Sequence, residues 1–425
     1  MWAGQCLRLV TSMHAKTASS PMKEISQPAL IVLTWQSFAS FFTYSFSLFG
    51  YSQMDRNTSR SISSERRVFI QKKQRNIASA RIPSAMRSPY ISFQTYEEGV
   101  PSARPTFASV QVHTDIGSFK GVQRPVLTTG TFDGVHRGHR SILDRLTERA
   151  KKEDGESVLF TFHPHPRMVL FPGDNDLKLL NTQQEKIALL EAAGLDHLLV
   201  VPFSRQFSRM HAVDYVRDVL VGAIGVHAVV IGYDHRFGRN REGDLSLLHQ
   251  LGEAYDFQVE EIPAQEVDHV KVSSTKVRHA LELGDVHTAN DLLGYPYQLS
   301  GVVVKGDQLG RTIGYPTANI GGIDPLKLVP GNGVYAATVE LKDGIHQGMM
   351  NIGVRPTVRE GLDRTIEVNL FDFDRDIYGE PITVRLLERL RAEEKFSGME
   401  AMKAQLARDK ETALDRLKAH DRSHA

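Results

Sequence analysis

From about Phe107 to Leu293, short apolar runs alternate with runs of helical period, and from Tyr297 strand-like runs dominate. That change of period confines the chain to few folds. Strands are expected at Pro125–Leu127, Val158–Phe162, His197–Pro202, Ala228–Ile231 and Phe257–Glu261. Helices are expected at His139–Lys152, Thr182–Ala193, Ala212–Val221, Asp244–Tyr255 and Thr275–Leu283. Such alternation predicts a doubly wound, largely parallel sheet, with ligands beyond the carboxyl ends of its strands. The later runs are Tyr297–Lys305, Gly333–Leu341, Gln347–Ile352, Thr365–Phe371 and Ile382–Arg391. They predict an antiparallel barrel closed by a helix from about Gly398 to Ala419. The fold class is α/β plus β, with domains over 106–294 and 295–425.

Residues 1–105 stand apart. Of the 51 Lys+Arg and 50 Asp+Glu in the chain, residues 1–95 hold 12 and 3, leaving 39 and 47. The front is a basic, Ser-rich extension, and the body is mildly acidic. A body of that charge argues against nucleic-acid binding. The extension is expected to be disordered or translated from an upstream start, with Met54 and Met86 as internal alternatives. Its uncharged aromatic run from Ile25 to Gln53 and its acid-poor composition leave a targeting peptide or a membrane anchor as other readings. No membrane association is expected of the body. Cys6 is the only cysteine, so the body has neither a disulfide nor a cysteine nucleophile.

The chemistry is densest at Leu127–His139, L-T-T-G-T-F-D-G-V-H-R-G-H. A strand enters a tight turn, and His136, Gly138 and His139 open an amphipathic helix with Ile142, Leu143 and Leu146 on one face. Glycine lets the backbone approach a ligand, and amides at a helix start attract phosphate. Two imidazoles beside them can donate hydrogen bonds as negative charge builds. With no Walker lysine and no acidic nucleophile, the expected reaction is attack of one phosphate on another. An incidental structural turn is the competing explanation.

Further motifs fall at strand ends. F-H-P-H-P (Phe162–Pro166) reads as a rigid wall for a flat ligand rather than a metal pair, because His163 and His165 should point apart in an extended segment. In G-Y-D-H-R-F-G (Gly232–Gly238), Asp234 either binds nucleotide, with Arg236 or Arg239 near phosphate, or belongs to a solvated loop. Ser273, Ser274 and Thr275 can cap a helix or hold phosphate there, with Arg278 on the same side. Later, Gly306, Gly310 and Gly314 let a loop fold tightly over phosphates. Thr317 can offer a hydroxyl to Mg²⁺ and Asn319 a side-chain carbonyl.

These stretches resemble two signatures of one family. G-T-F-D-G-V-H-R-G-H and S-S-T-x-x-R are similar to the nucleotidyltransferase signatures of bacterial FAD synthetases. G-D-Q-L-G-R-T-I-G-Y-P-T-A-N and the later E-V-N-L-F-D-F resemble riboflavin kinases. The chain from about residue 107 to 420 therefore resembles a bifunctional riboflavin kinase/FAD synthetase of the prokaryotic type. The resemblance implies a cytoplasmic enzyme that phosphorylates riboflavin to FMN and joins FMN to AMP from ATP, with Mg²⁺ as cofactor and ATP as co-substrate. It implies Glu367 as the kinase base, and His136 and His139 as catalytic residues of adenylyl transfer. It puts Gly130, Thr131, Phe132, Asp133, Asp234, Ser274, Thr275 and Arg278 on nucleotide or phosphate in one module, and Gly306, Gly310, Gly314, Thr317 and Asn319 in the other. Thr317 and Asn319 also hold the metal. Pro166 and Arg355 fall on the flavin side, although a structural turn explains Arg355's loop, Asn351–Thr357, nearly as well. His235 departs from the family, which more often carries an aromatic there. A transferase for another phosphorylated substrate and a non-catalytic flavin-binding regulator are the rivals. The barrel motif opposes the first, and the presence of Glu367, His136 and His139 opposes the second.

Overall fold

Successive residues of the first strands enter opposite faces of a sheet, and both faces are buried. Leu127, Phe160, Leu199, Val229 and Ile231 lie in one apolar cluster, and Val126, Leu159, Leu198, Ala228 and Val230 in the other. That is why these strands read as continuous apolar runs. Burying each such Val or Leu contributes about 1.5–3 kcal/mol. The computed structural model describes residues 109–173, 177–263, 272–306, 309–356 and 362–424, so the 1–105 extension lies outside the described residues.

The sheet has the order β1-β4-β3-β2-β5-β6, with β1 Gln111–His113, β2 Val126–Thr129, β3 Ser157–His163, β4 His197–Pro202, β5 Ala228–Gly232 and β6 Gln258–Ile262. Every pairing is parallel. The helices flanking it include α1 Arg137–Lys152, α2 Gln183–Glu191 and α3 Leu245–Tyr255. The expected helix from Ala212 instead continues as a π-helical stretch, Tyr215–Ile224, ending at Gly225 with φ 70°. β1 has no apolar run to announce it; only its pairing with β4 makes it a strand.

After α4 Ser274–Glu282 and α5 Val286–Leu293, six strands close an antiparallel barrel of order β10-β11-β8-β7-β12-β9. They are β7 Tyr297–Val304, β8 Ala318–Gly321, β9 Gly333–Leu341, β10 Gly344–Pro356, β11 Leu362–Leu370 and β12 Pro381–Arg391. The α/β plus β class is thus as expected. β8 lies where the sequence suggests only the end of a loop. Ala318 and Ile320 are buried, and β8 pairs with both β7 and β11. The closing helix α6, Met399–His424, packs Ala413 and Leu417 on Val334, Met349 and Leu387.

The sheet and barrel modules meet tightly. Val277, Leu281, Val286 and Leu293 share one core with Tyr297, Tyr335 and Leu386. Leu179 of the sheet module donates to Leu326 O (2.7 Å) and accepts from Leu328 N–H (2.9 Å) of the barrel module. Lys327 donates to Glu185 Oε2 (2.5 Å) and Leu180 O (2.7 Å). Both side chains are almost fully buried, so losing one partner strands the other's charge. Lys327→Ala is expected to destabilise the protein by roughly 3–5 kcal/mol in urea titration, with a Glu185→Met/Lys327→Met double variant recovering most of it. A loss below about 1 kcal/mol for Lys327→Ala would remove the pair as the clamp between modules.

Candidate functional site

The turn after β2 needs unusual backbone. Phe132, Gly134 and Val135 have φ of 46°, 90° and 37°. A Cβ on Gly134 would meet Leu180 at 2.6 Å, so glycine is required there twice over. Val135 tolerates this conformation because the surrounding packing holds it fully buried. His136 then caps α1, its Nδ1 accepting the His139 backbone N–H at 3.3 Å. That leaves the His136 proton on Nε2. The His136 and His139 rings stack at 3.7 Å between centroids, and Phe132 stacks on His139 at 4.5 Å. A Cβ on Gly138 would rest in ordinary contact with the His136 ring at 3.4 Å.

Asp133, Ser274 and Arg278 come together, largely with one another. Asp133 is buried, ion-paired to Arg278, and accepts from Leu180 N–H (2.9 Å) and Asn181 N–H (3.4 Å). Ser274 Oγ donates to Asp133 O at 2.9 Å, and Arg278 Nε to Lys178 O at 2.8 Å. Thr275 is exposed on the first turn of α4. Asp234 is exposed beyond β5, and Arg236 pairs with Asp244 at 3.2 Å. His235 lies 6.1 Å from the Phe237 ring with 20° between planes, so it keeps an aromatic-like packing.

His163 and His165 do not point apart as expected: both line one cleft of about 60 Å³ between the modules. Residues two apart share a face of an extended segment, so the expected divergence does not hold; His165 also caps a helical turn, Pro166–Leu170, accepting from Arg167 N–H at 3.2 Å. Asn181, Lys186 and, from the barrel module, Lys327 complete much of the wall. Lys186 donates to Thr131 O at 2.9 Å. Sequence reasoning misses it, since a lysine after a T-x-x-E capping box reads as an exposed helix residue.

On the barrel, Asn319 and Glu367 are direct neighbours in the β8–β11 register. Thr317 Oγ1 donates to Glu367 Oε2 at 3.1 Å. A Cβ on Gly306 would collide with the Asn319 side chain, and one on Gly310 with Tyr315 O. Gly314 has φ 80°. Asn369, two residues along the same strand face as Glu367, donates to Pro316 O at 2.7 Å and anchors the segment before Thr317. A cleft of about 340 Å³ opens beside them, lined by Thr317, Arg311, Phe373, Arg375 and Tyr378. The two arginines are not singled out by sequence; scattered arginines in loops carry no pattern of their own. Arg355 contributes backbone to β10; its side chain, and Thr357 beyond it, lie outside the described residues.

Burial sets the charge of the first site. It pulls His136 down to about 4 from its ordinary 6.5, against a smaller opposing pull from Asp133. Burial likewise holds His139 well below the usual range, helped by His136 and Lys186. His165 is drawn down to about 4 for the same first reason. These imidazoles are therefore held toward the neutral form near pH 7. The unfolded chain takes up a proton first, so the His136 contribution to stability is complete above about pH 6.5 and disappears as pH falls toward 4. A His136→Asn variant, which can still cap α1, is expected to lose up to about 1.4 kcal/mol per pH unit of that dependence. Urea midpoints from pH 4.5 to 7 measure it, and identical slopes in both proteins would contradict it.

A family model described as FAD synthetase matches residues 119–276, and one described as riboflavin kinase matches residues 293–417. The bifunctional riboflavin kinase/FMN adenylyltransferase of Escherichia coli (strain K12) is 42% identical over 293 residues, covering 68% of this chain and 92% of that one. The protein of the same name from Bacillus subtilis (strain 168) is 36% identical over 295 residues, with coverages of 68% and 92%. A solved structure named as a macrolide-efflux protein from Streptococcus pneumoniae superposes with a TM-score of 0.66 at 31% identity, covering 72% of this chain and 99% of its own. With both modules matched in order, the chain belongs to the bifunctional riboflavin kinase/FMN adenylyltransferase family.

Proposed function

We propose that this chain carries out its family's two reactions, riboflavin to FMN and FMN to FAD, with the residues gathered at the two sites. In the barrel, Glu367 takes the proton from the terminal ribityl hydroxyl of riboflavin as its oxygen attacks the γ-phosphorus of ATP. ADP leaves. The observation that carries this reading is the contact of Thr317 Oγ1 with Glu367 Oε2 at 3.1 Å, with Asn319 opposite in register. It sets a base beside hydroxyl and amide oxygen donors, a set suited to a hard cation. Thr317 and Asn319 would hold Mg²⁺ with ATP, and the ion supplies charge neutralisation on the triphosphate. Gly306, Gly310 and Gly314 let the preceding loop close over the phosphates, and Arg355 is assigned to the flavin side.

In the sheet module, a phosphate oxygen of FMN attacks the α-phosphorus of ATP, and pyrophosphate leaves. His136 Nε2–H and His139 donate to the phosphate oxygens as charge builds, beside the open amides of α1 and the backbone of Gly130 and Thr131. Phe132 holds His139 by stacking. Asp133 and Arg278 act from their mutual ion pair, which secures the turn. Ser274 and Thr275 at the start of α4 face phosphate, Asp234 the nucleotide, and Pro166 the flavin. Since both reactions consume ATP, we assign them to the cytoplasm. Among the described residues no helix is long and apolar enough to cross a membrane.

Purified protein supplied with riboflavin, ATP and Mg²⁺ is expected to yield FMN and then FAD. Glu367→Gln should lower FMN formation by roughly 10²–10⁴-fold while FAD formation from supplied FMN continues. His136→Ala should reverse that pattern, losing about 10²–10³-fold in FAD formation alone. Chromatographic resolution of the flavins reads both. Wild-type FMN production by Glu367→Gln would eliminate the proposed base.

A further inference from the structure

Lys186 is a buried cation without a carboxylate of its own. Its side chain runs from α2 to the turn after β2 and gives one hydrogen bond, to the neutral carbonyl of Thr131 at 2.9 Å. An ammonium has three N–H donors. No ion pair is formed by Lys186 among the described residues, although it is only 9% exposed. The two nearest buried carboxylates are already engaged: Asp133 with Arg278, and Glu185 with Lys327. Leaving a lysine in this condition is unfavourable unless a ligand completes it. Burial disfavours the Lys186 charge; Asp133, which lines the same cleft, favours it, but that carboxylate is already ion-paired to Arg278. His139, His163 and His165 are all held toward the neutral form, chiefly by burial and in part by Lys186 itself. Asp324 lines the same cleft from an exposed position, with Oδ1 accepting Leu326 N–H at 2.8 Å. The missing partner is an anion that enters from the cleft.

Two phosphates meet at this site in adenylyl transfer, the phosphomonoester of the flavin and the α-phosphate of the nucleotide. Lys186 shares its cleft with His163, His165 and the barrel residues rather than with Asp234 or Thr275. We propose that Lys186 binds the phosphomonoester of FMN, holding it at Thr131 for attack and selecting phosphorylated over unphosphorylated flavin. The inference rests on the adenylyltransferase reading of the sheet module. It adds a substrate-binding cation that neither signature contains.

The test is steady-state FAD formation by the full-length protein, varying FMN and ATP separately, for wild type, Lys186→Met and Lys186→Arg. Lys186→Met is expected to raise the KM for FMN by roughly 30-fold or more, as for loss of a charge-assisted hydrogen bond. Lys186→Arg should recover part of that loss, and the KM for ATP should stay within about threefold. Riboflavin phosphorylation by the same samples reports intact folding. So does the thermal midpoint, which should hold or rise when an unpaired buried charge is removed. An unchanged KM for FMN in the folded variant overturns the proposal. A rise in the KM for ATP alone overturns it in favour of the nucleotide phosphate. A fall in thermal midpoint with both KM values unchanged makes Lys186 a structural residue. Absence of FAD formation in the wild type would instead remove the underlying adenylyltransferase reading.

Discussion

The carboxylate of Asp133 joins segments that are remote in sequence. It sits in a turn whose backbone is unusual on both sides of it, and it is met by Arg278 from α4 and by the amides of Leu180 and Asn181. Without a charged acceptor there, the two amides and the guanidinium would lose a shared buried partner. The turn in turn sets the Phe132–His139–His136 stack, and the 177–181 segment carries the bridge to the barrel. The geometry of the first site and the attachment of the second module therefore rest on the same buried charge.

The two modules surround their candidate site residues differently. In the sheet module, desolvation removes charge from the imidazoles, which suits the donor role proposed for them. Oriented neutral donors stabilise a growing anion without first having to reorganise. On the barrel, Glu367 is only half-buried and touches Thr317. Glu367, the proposed base, is held by register, because β8 and β11 fix Asn319 opposite it.

Residues whose proposed roles belong to a short stretch are legible in the amino-acid order itself. His136 and His139 lie on one helical turn, and alternation in Thr365–Leu370 separates Glu367 from the buried Ile366 and Val368. Other residues give no local sign. Lys186 meets Thr131 across 55 residues, and Lys327 meets Glu185 across 142. In sequence each is a lysine with ordinary neighbours, and lysine is by default a surface residue. The common cleft of His163 and His165, by contrast, follows from local geometry, because residues two apart fall on one face of an extended segment.

The sequence by itself determined the two fold classes and brought the candidate phosphate-site residues into short stretches, because period, turn glycines and helix-opening histidines act over a few residues. The tertiary structure decided which charges are paired, which histidines are neutral and which lysine faces the cleft. Burial and ion pairing depend on what distant segments bring to the same place, and a linear pattern does not contain that distance.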